Sequence, residues 1–168
     1  MSSAASAEPR WLELQGHAVA QAELEAPLTG RRCLLYSVAL GLLQRLRDGG
    51  GRARETAGLC FLVRTESGLL LVDPAAARLR LPTRLRARLW LGHDPARDAR
   101  LRSLYQRLGR SRLPAAVAAS EQRLEAGDRV LCAGWLEARP HAGGDPRGYR
   151  QPPQLPVLLA TRLVGSRP

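Results

Sequence analysis

The stretch LCFLVRTESGLLLVDP, residues 59–74, contains two apolar runs separated by a short polar segment. Leu59 to Arg64 and Leu69 to Val72 are rich in Leu and Val, and Thr65-Glu66-Ser67-Gly68 lies between them. A short polar loop that ends in Gly between two such runs is typical of a β-hairpin. Asp73-Pro74 ends the second run, because proline cannot donate a hydrogen bond to a strand ladder. The stretch therefore predicts a hairpin within a β-rich domain.

Over positions 78–91, after this hairpin, Leu or Ala takes the odd positions except Thr83, and Arg takes the even positions except Pro82 and Trp90. Period-two alternation predicts strands with one core face and one exposed face. Pro82 should divide the run into two strands. We expect the exposed side of this strand pair to carry a set of arginines that could bind an anion or a partner: Arg78, Arg80, Arg84, Arg86 and Arg88.

The chain before the hairpin also follows a β pattern. Trp11 to Glu25 alternates roughly between apolar and polar residues, with a bulge or bend permitted at Gly16. Pro27-Leu28-Thr29-Gly30 is predicted as a turn, and Cys33 to Leu43 as a buried strand. The triple glycine at 49–51 places a loop over Arg47 to Thr56.

The chain after the alternating run contains the clearest helix signal. Asp94-Pro95 is typical of an N-cap followed by proline in the first turn. Apolar residues recur at helical spacing from Leu101 to Leu108, and Gly109 is a suitable stop. The remaining elements are predicted as a short second helix at 115–125, a strand from Arg129 to Ala138, a Gly/Pro-rich loop at 140–153 and a final strand from Pro156 to Val164.

These elements predict a mainly β (α+β) fold, a small barrel or sandwich of about seven to eight strands with a helical insertion near 95–125. A chain of 168 residues is long enough to bury a core of its own. We expect a disordered tail over residues 1–10 and one domain over residues 11–164.

The net charge of +11 suggests an anionic partner such as nucleic acid or a membrane surface. All 26 basic residues are Arg, and the sequence also lacks Ile and Asn. Since these missing residues have AT-rich codons, a GC-rich, bacterial-type coding bias explains the missing Lys. It does not explain the excess of 26 basic over 15 acidic residues.

No residue pattern announces a catalytic or metal site. Cys33, Cys60 and Cys132 lie far apart, each in an apolar run where a thiol is usually buried. His17, His93 and His141 show no metal-ligand spacing. Cys33 follows two arginines and is the best local case for a reactive thiol, but a buried structural role is favoured.

The order of several segments resembles the GIDE domain, also called the BAM (beside a membrane) domain. The segments are Pro27-Leu28-Thr29-Gly30-Arg31-Arg32-Cys33, Phe61-Leu62-Val63, Gly68 to Pro74, Ser120-Glu121, and Leu124 to Gly134. In mitochondrial-type membrane-anchored E3 ubiquitin ligases this domain accompanies transmembrane helices and a RING module. The sequence shows neither of these, so the resemblance implies a β-rich recognition domain and no ligase activity.

We therefore expect a non-enzymatic partner-binding or regulatory domain without a cofactor, whose partner is an unidentified protein. The alternative is an arginine-rich binder of nucleic acid or an anionic membrane surface through the 78–88 strand face. The longest uncharged apolar run, Cys33 to Leu43, is too short to span a bilayer, and the N-terminus lacks a signal-peptide pattern. These features predict a cytoplasmic protein, with a membrane-peripheral location as an alternative.

Overall fold

The computed structural model describes residues 9–41, 53–110, 112–140 and 154–168. These residues form one α-helix and twelve strands, so the fold is mainly β, as the sequence predicts. In chain order, the elements before the helix are β1 (Arg10–Val19), β2 (Leu24–Glu25), β3 (Arg32–Cys33), β4 (Leu35–Gly41), β5 (Ala53–Gly58), β6 (Phe61–Thr65), β7 (Gly68–Asp73), β8 (Arg78–Arg80) and β9 (Thr83–Trp90). They are followed by α1 (Pro95–Arg107), β10 (Ala116–Leu124), β11 (Arg129–Pro140) and β12 (Gln154–Ser166).

Five of the strands close into a barrel. The order β11-β1-β6-β7-β12 is completed by pairing of β12 with β11, and β8 extends the sheet beyond β12. All barrel pairs are antiparallel except the parallel pair β7–β12. When the five barrel strands are numbered along the chain, their order around the barrel is 1-2-3-5-4. This is the connectivity of an OB-type barrel.

A second sheet is built from two insertions into this barrel. Its order is β5-β4-β10-β9, and all neighbours are antiparallel. β4 and β5 come between the first two barrel strands, whereas β9 and β10 come between the third and fourth. This sheet therefore depends on pairing between segments that are about 80 residues apart in sequence.

Two apolar cores correspond to these two sheets. The barrel core contains Phe61, Val63 and Leu163, each with no exposed area. The second core lies between the four-stranded sheet and α1, where Val38, Leu101 and Leu104 are fully buried. The barrel and the helix-covered sheet thus each have a set of apolar residues that burial stabilises.

Helix α1 begins and ends at the residues that the sequence indicates. The Asp94 carboxylate accepts a hydrogen bond from the Arg97 backbone N–H at 3.0 Å, and Pro95 occupies the first turn. Leu101, Leu104 and Tyr105 are buried, and Gly109 follows the helix with φ +69°. A left-handed residue after the last turn is the common way to end a helix.

Several sequence predictions are wrong in detail. Residues 115–125 form strand β10 instead of a second helix, because this segment completes the four-stranded sheet between β4 and β9. The predicted first strand is divided into β1 and β2, and the predicted loop over 47–56 already contains the start of β5 at Ala53. Three predicted segments lie outside the described residues: the part of the 47–56 loop before Ala53, the loop after Pro140, and residues 1–8 of the tail.

The predicted hairpin is formed by β6 and β7, with Phe61 opposite Val72. Gly16 marks the crossing of β1 and β6. A side chain there would place its Cβ 2.2 Å from the Arg64 carbonyl oxygen, so only glycine allows this approach. The register with β11 runs without a shift through Gly16, so the bulge that the sequence permits does not form there, and the glycine allows a close backbone contact instead.

Candidate functional site

The four-stranded sheet has one face against α1, and no helix of the described residues covers its other face. A row of residues crosses the uncovered face from β5 to β9: Arg54, Ala39, Ser120 and Arg86 are successive partners. Three strand spacings separate the two arginines, which places their backbones about 14 Å apart. Small side chains therefore form the middle of the row, and a guanidinium stands at each end.

The next rows continue this pattern toward the far end of the sheet. Ala118 pairs with Gly41 on one side and with Arg88 on the other, and Ala116 pairs with Trp90. The Trp90 ring is 52% exposed, and the Arg88 guanidinium carbon lies 5.7 Å from its centroid. We call the surface made by these two rows and the first row the basic face.

A recess of about 450 Å³ lies at the Arg54–Arg86 row of the basic face and extends away from Trp90 toward Ser37 and Thr83. Its lining consists of small, polar and basic side chains: Ser37, Ala39, Arg54, Thr83, Arg86, Ser120 and Gln122. No Asp or Glu belongs to the described lining. Within the described chain, Arg54 and Arg86 have neither an ion-pair nor a hydrogen-bond partner, so their guanidinium donors are available to a ligand.

The five arginines predicted as one face lie in three different places. Arg86 and Arg88 are on the basic face. Arg78 and Arg80 are exposed on β8, beside β12 in the barrel sheet. Arg84 forms an ion pair with Asp128 instead, at 2.6 Å from both carboxylate oxygens. The strands are not a pair, because β8 and β9 belong to different sheets.

Arg54 is the basic-face residue that sequence reasoning missed. The segment that contains it was predicted as a loop, and only the pairing of β5 with β4 brings it opposite Ala39. The sequence ARETAG gives little signal for this strand, because Arg54, Glu55 and Thr56 are polar or charged in succession. Trp90 has the same strand phase as Arg86 and Arg88, and the structure exposes it as well.

A second group of charged residues lies between the barrel and the four-stranded sheet. Glu121 is completely buried, and its carboxylate accepts hydrogen bonds from the Leu28 N–H at 2.8 Å and from the Thr29 hydroxyl at 2.5 Å. The Arg123 guanidinium donates to Glu121 at 2.8 Å and also to Glu125. Together with Thr29 and the Arg84–Asp128 pair, these residues form the junction cluster.

The junction cluster explains why charged residues occupy buried positions. Burial is the largest single influence on the pKa of Arg123 and lowers it, but the hydrogen bonds and charges of Glu125 and Glu121 together outweigh burial and raise the pKa above its ordinary value. Buried charges are tolerated when they are paired and hydrogen-bonded. The Pro27-Leu28-Thr29-Gly30 turn is thereby attached to β10, so these motif residues have a structural role.

The two buried cysteines, Cys33 and Cys132, are not activated as nucleophiles. Burial and the neighbouring Glu121 charge raise the pKa of the Cys33 thiol to about 12. Burial raises the pKa of the Cys132 thiol to about 12 as well. Both are therefore protonated at neutral pH, and a protonated thiol is a poor nucleophile. Cys60 is exposed, contrary to the prediction that all three cysteines are buried.

A larger groove of about 1040 Å³ lies between β1 and the β6–β7 hairpin. His17 lies in its wall, with Nδ1 3.3 Å from the Gly127 carbonyl oxygen. Its lining mixes Arg64 and Arg129 with Glu13 and Glu66. The lining of this groove therefore carries both signs of charge, whereas the described lining of the recess carries only basic charge.

The chain was compared with protein-family models, with curated proteins and with solved structures, and nothing matches in any of the three comparisons. Among the described residues, no group of three His, Cys, Asp or Glu side chains could hold a metal ion. No helix in that part of the chain is long and apolar enough to cross a membrane.

Proposed function

We propose that this chain is a non-enzymatic binding domain that receives an acidic partner on the basic face. The observation that supports this function best is a recess with arginines on both sides and no acidic residue in its described lining. Other arginines of the chain are paired internally, for example Arg84 with Asp128 and Arg107 with Glu55. The basic-face arginines thus resemble ligand-binding groups more than structural ones.

The electrostatics of the whole chain favour the same function. A net charge of +11 attracts polyanions over long range, and arginines on the rim of a recess concentrate that attraction locally. Arg is also suited to phosphate and carboxylate groups, because its planar guanidinium can form two parallel hydrogen bonds.

The resemblance to the GIDE/BAM domain stays a prediction, and it is compatible with this proposal. It implies recognition without catalysis and contributes no catalytic residue. The partner is therefore proposed by its chemistry, as a molecule that presents several negative charges to one side of the four-stranded sheet.

Two double variants with equal charge test the proposal. Arg86→Ser/Arg88→Ser removes two arginines of the basic face, whereas Arg78→Ser/Arg80→Ser removes two exposed arginines of β8. Immobilised heparin serves as the polyanion, and the salt concentration that elutes each protein is measured. We expect the basic-face variant to elute at clearly lower salt than its control. Equal elution of the two variants would mean that net charge alone explains retention, and the proposed function would be wrong.

A further inference from the structure

We propose that the ligand of the basic face is single-stranded nucleic acid, with phosphates at the arginines and a base stacked on Trp90. This inference rests on the proposed function and names the chemical class of the acidic partner. It depends on three features: the exposed ring, the small side chains in the middle of the recess, and the arginines on both sides.

Trp90 is the feature that distinguishes a nucleic acid from other polyanions. Its ring is 52% exposed next to Arg88, and its register partner is the small residue Ala116. The other two exposed tryptophans, Trp11 and Trp135, pack against each other on the barrel with centroids 5.2 Å apart. Arg88 lies over one face of the Trp90 ring, no other ring packs on Trp90 in the described chain, and its exposure leaves room for a base on the opposite face.

An aromatic ring beside guanidinium groups is a usual device for binding single strands. Bases stack on the ring whatever their sequence, and arginines contact the backbone phosphates. A base within a duplex is already stacked on its neighbours, so it cannot offer its flat face to Trp90. For this reason the exposed ring favours a single strand over a duplex.

The middle of the recess allows a nucleic-acid backbone to come close. Ala39 and Ser120 line the recess between Arg54 and Arg86, and the small residues Gly41 and Ala118 continue the low sheet surface from there toward Trp90. The distance of about 14 Å between the backbones of that row exceeds the width of one extended chain. A flat lipid surface would meet the arginines on the sides but not the residues at the bottom of the recess.

The experiment measures binding of labelled oligonucleotides by fluorescence anisotropy. The probes are oligo(dT) and oligo(U) of about 15 nucleotides, a length within the usual range for one single-strand-binding module. A duplex of the same length and vesicles that contain phosphatidylserine are the competing ligands. We expect at least one oligonucleotide to bind more tightly than the duplex, with a slope of log K against log salt near about −2 for three phosphate contacts. The tighter of the two oligonucleotides identifies DNA or RNA as the source.

Variants of Trp90 separate stacking from charge. We expect Trp90→Leu to weaken oligonucleotide binding about tenfold or more, because a stacking ring is lost. Trp90→Phe should restore most of the affinity. Trp11→Leu is the matched control, since Trp11 is 49% exposed on the barrel, and it should bind like the wild type.

The outcomes distinguish this inference from the proposed function. If Trp90→Leu binds oligonucleotides normally, or if duplex or vesicles bind more tightly than both single strands, the inference is overturned. The proposed function survives that result when Arg86→Ser/Arg88→Ser still weakens heparin binding more than its control. If the two double variants are equal on heparin, both the proposed function and this inference are wrong.

Discussion

The arginines of the junction cluster and those of the basic face have the same chemistry but opposite surroundings. Arg84 and Arg123 have side chains that are 12% and 10% exposed, and each contacts two acidic residues. Arg86 and Arg88 follow Arg84 on the same strand, yet both are exposed and lack an acidic partner in the described chain. A residue pattern that is uniform in sequence thus contains both structural and ligand-accessible arginines, and only the acids supplied by distant segments tell them apart.

The largest loss of stability should come from replacing Glu121, the buried acid of the junction cluster. Glu121→Ala removes the acceptor for the Leu28 N–H, the Thr29 hydroxyl and one Arg123 donor. We expect the free energy of unfolding to fall by about 3–5 kcal/mol, because a buried charge and buried donors lose their partner. Urea unfolding of the variant and the wild type measures this difference.

A double variant serves as the control for Glu121→Ala. Glu121→Leu/Arg123→Met removes both charges and should be less destabilising than Glu121→Ala, since no unpaired charge is left in the interior. A loss below about 1 kcal/mol for Glu121→Ala would contradict the structural role of the cluster.

The elements of the fold differ in how far their conformation could be predicted from the sequence. The β6–β7 hairpin and α1 depend on neighbouring residues such as Gly68 and Asp94, so their signals are local. β10 was predicted as a helix because its Ala-rich sequence has no strong strand preference, and the pairing with β4 and β9 decides its conformation. Propensity is a weak guide where such tertiary pairing competes with it.

The candidate site was predictable to a similar extent. Alternation correctly predicted Arg86 and Arg88 as exposed. It could not distinguish Arg84, since Asp128 lies 44 residues away in sequence. Arg54 reaches the same face only through the sheet order β5-β4-β10-β9, which no local pattern contains.

A smaller effect on stability is expected at the sheet face that α1 covers. There, Glu55 accepts hydrogen bonds from Arg107 at 2.9 Å and from the Tyr36 hydroxyl at 2.8 Å. The hydrogen bond from Arg107 is the main cause that lowers the pKa of Glu55 below its ordinary 4.5. A lowered carboxyl pKa stabilises the fold above the unfolded value, and this stability is lost as the pH falls through the folded value.

Glu55→Gln should therefore reduce stability near neutral pH and remove part of the decline on the acid side of pH 4.5. Because the Arg107 side chain is 46% exposed, we expect a difference of about 1 kcal/mol or less at neutral pH. Thermal unfolding at several pH values between neutral and acidic gives the curve of stability against pH for the variant and for the wild type. Parallel curves for variant and wild type would argue against the assigned role of this ion pair.

The smallest effect on stability should come from the basic face itself. Arg86→Ser/Arg88→Ser removes no ion pair or hydrogen bond in the described chain, so the free energy of unfolding should change by no more than about 0.5 kcal/mol. Arg84→Ser on the same strand should lower it by about 1–3 kcal/mol, because Asp128 would stay buried without its guanidinium partner. Urea unfolding of the two variants compares these neighbouring arginines directly. If both variants lose similar stability, the basic-face arginines contribute to the fold, and their exposure is no longer an argument for a ligand.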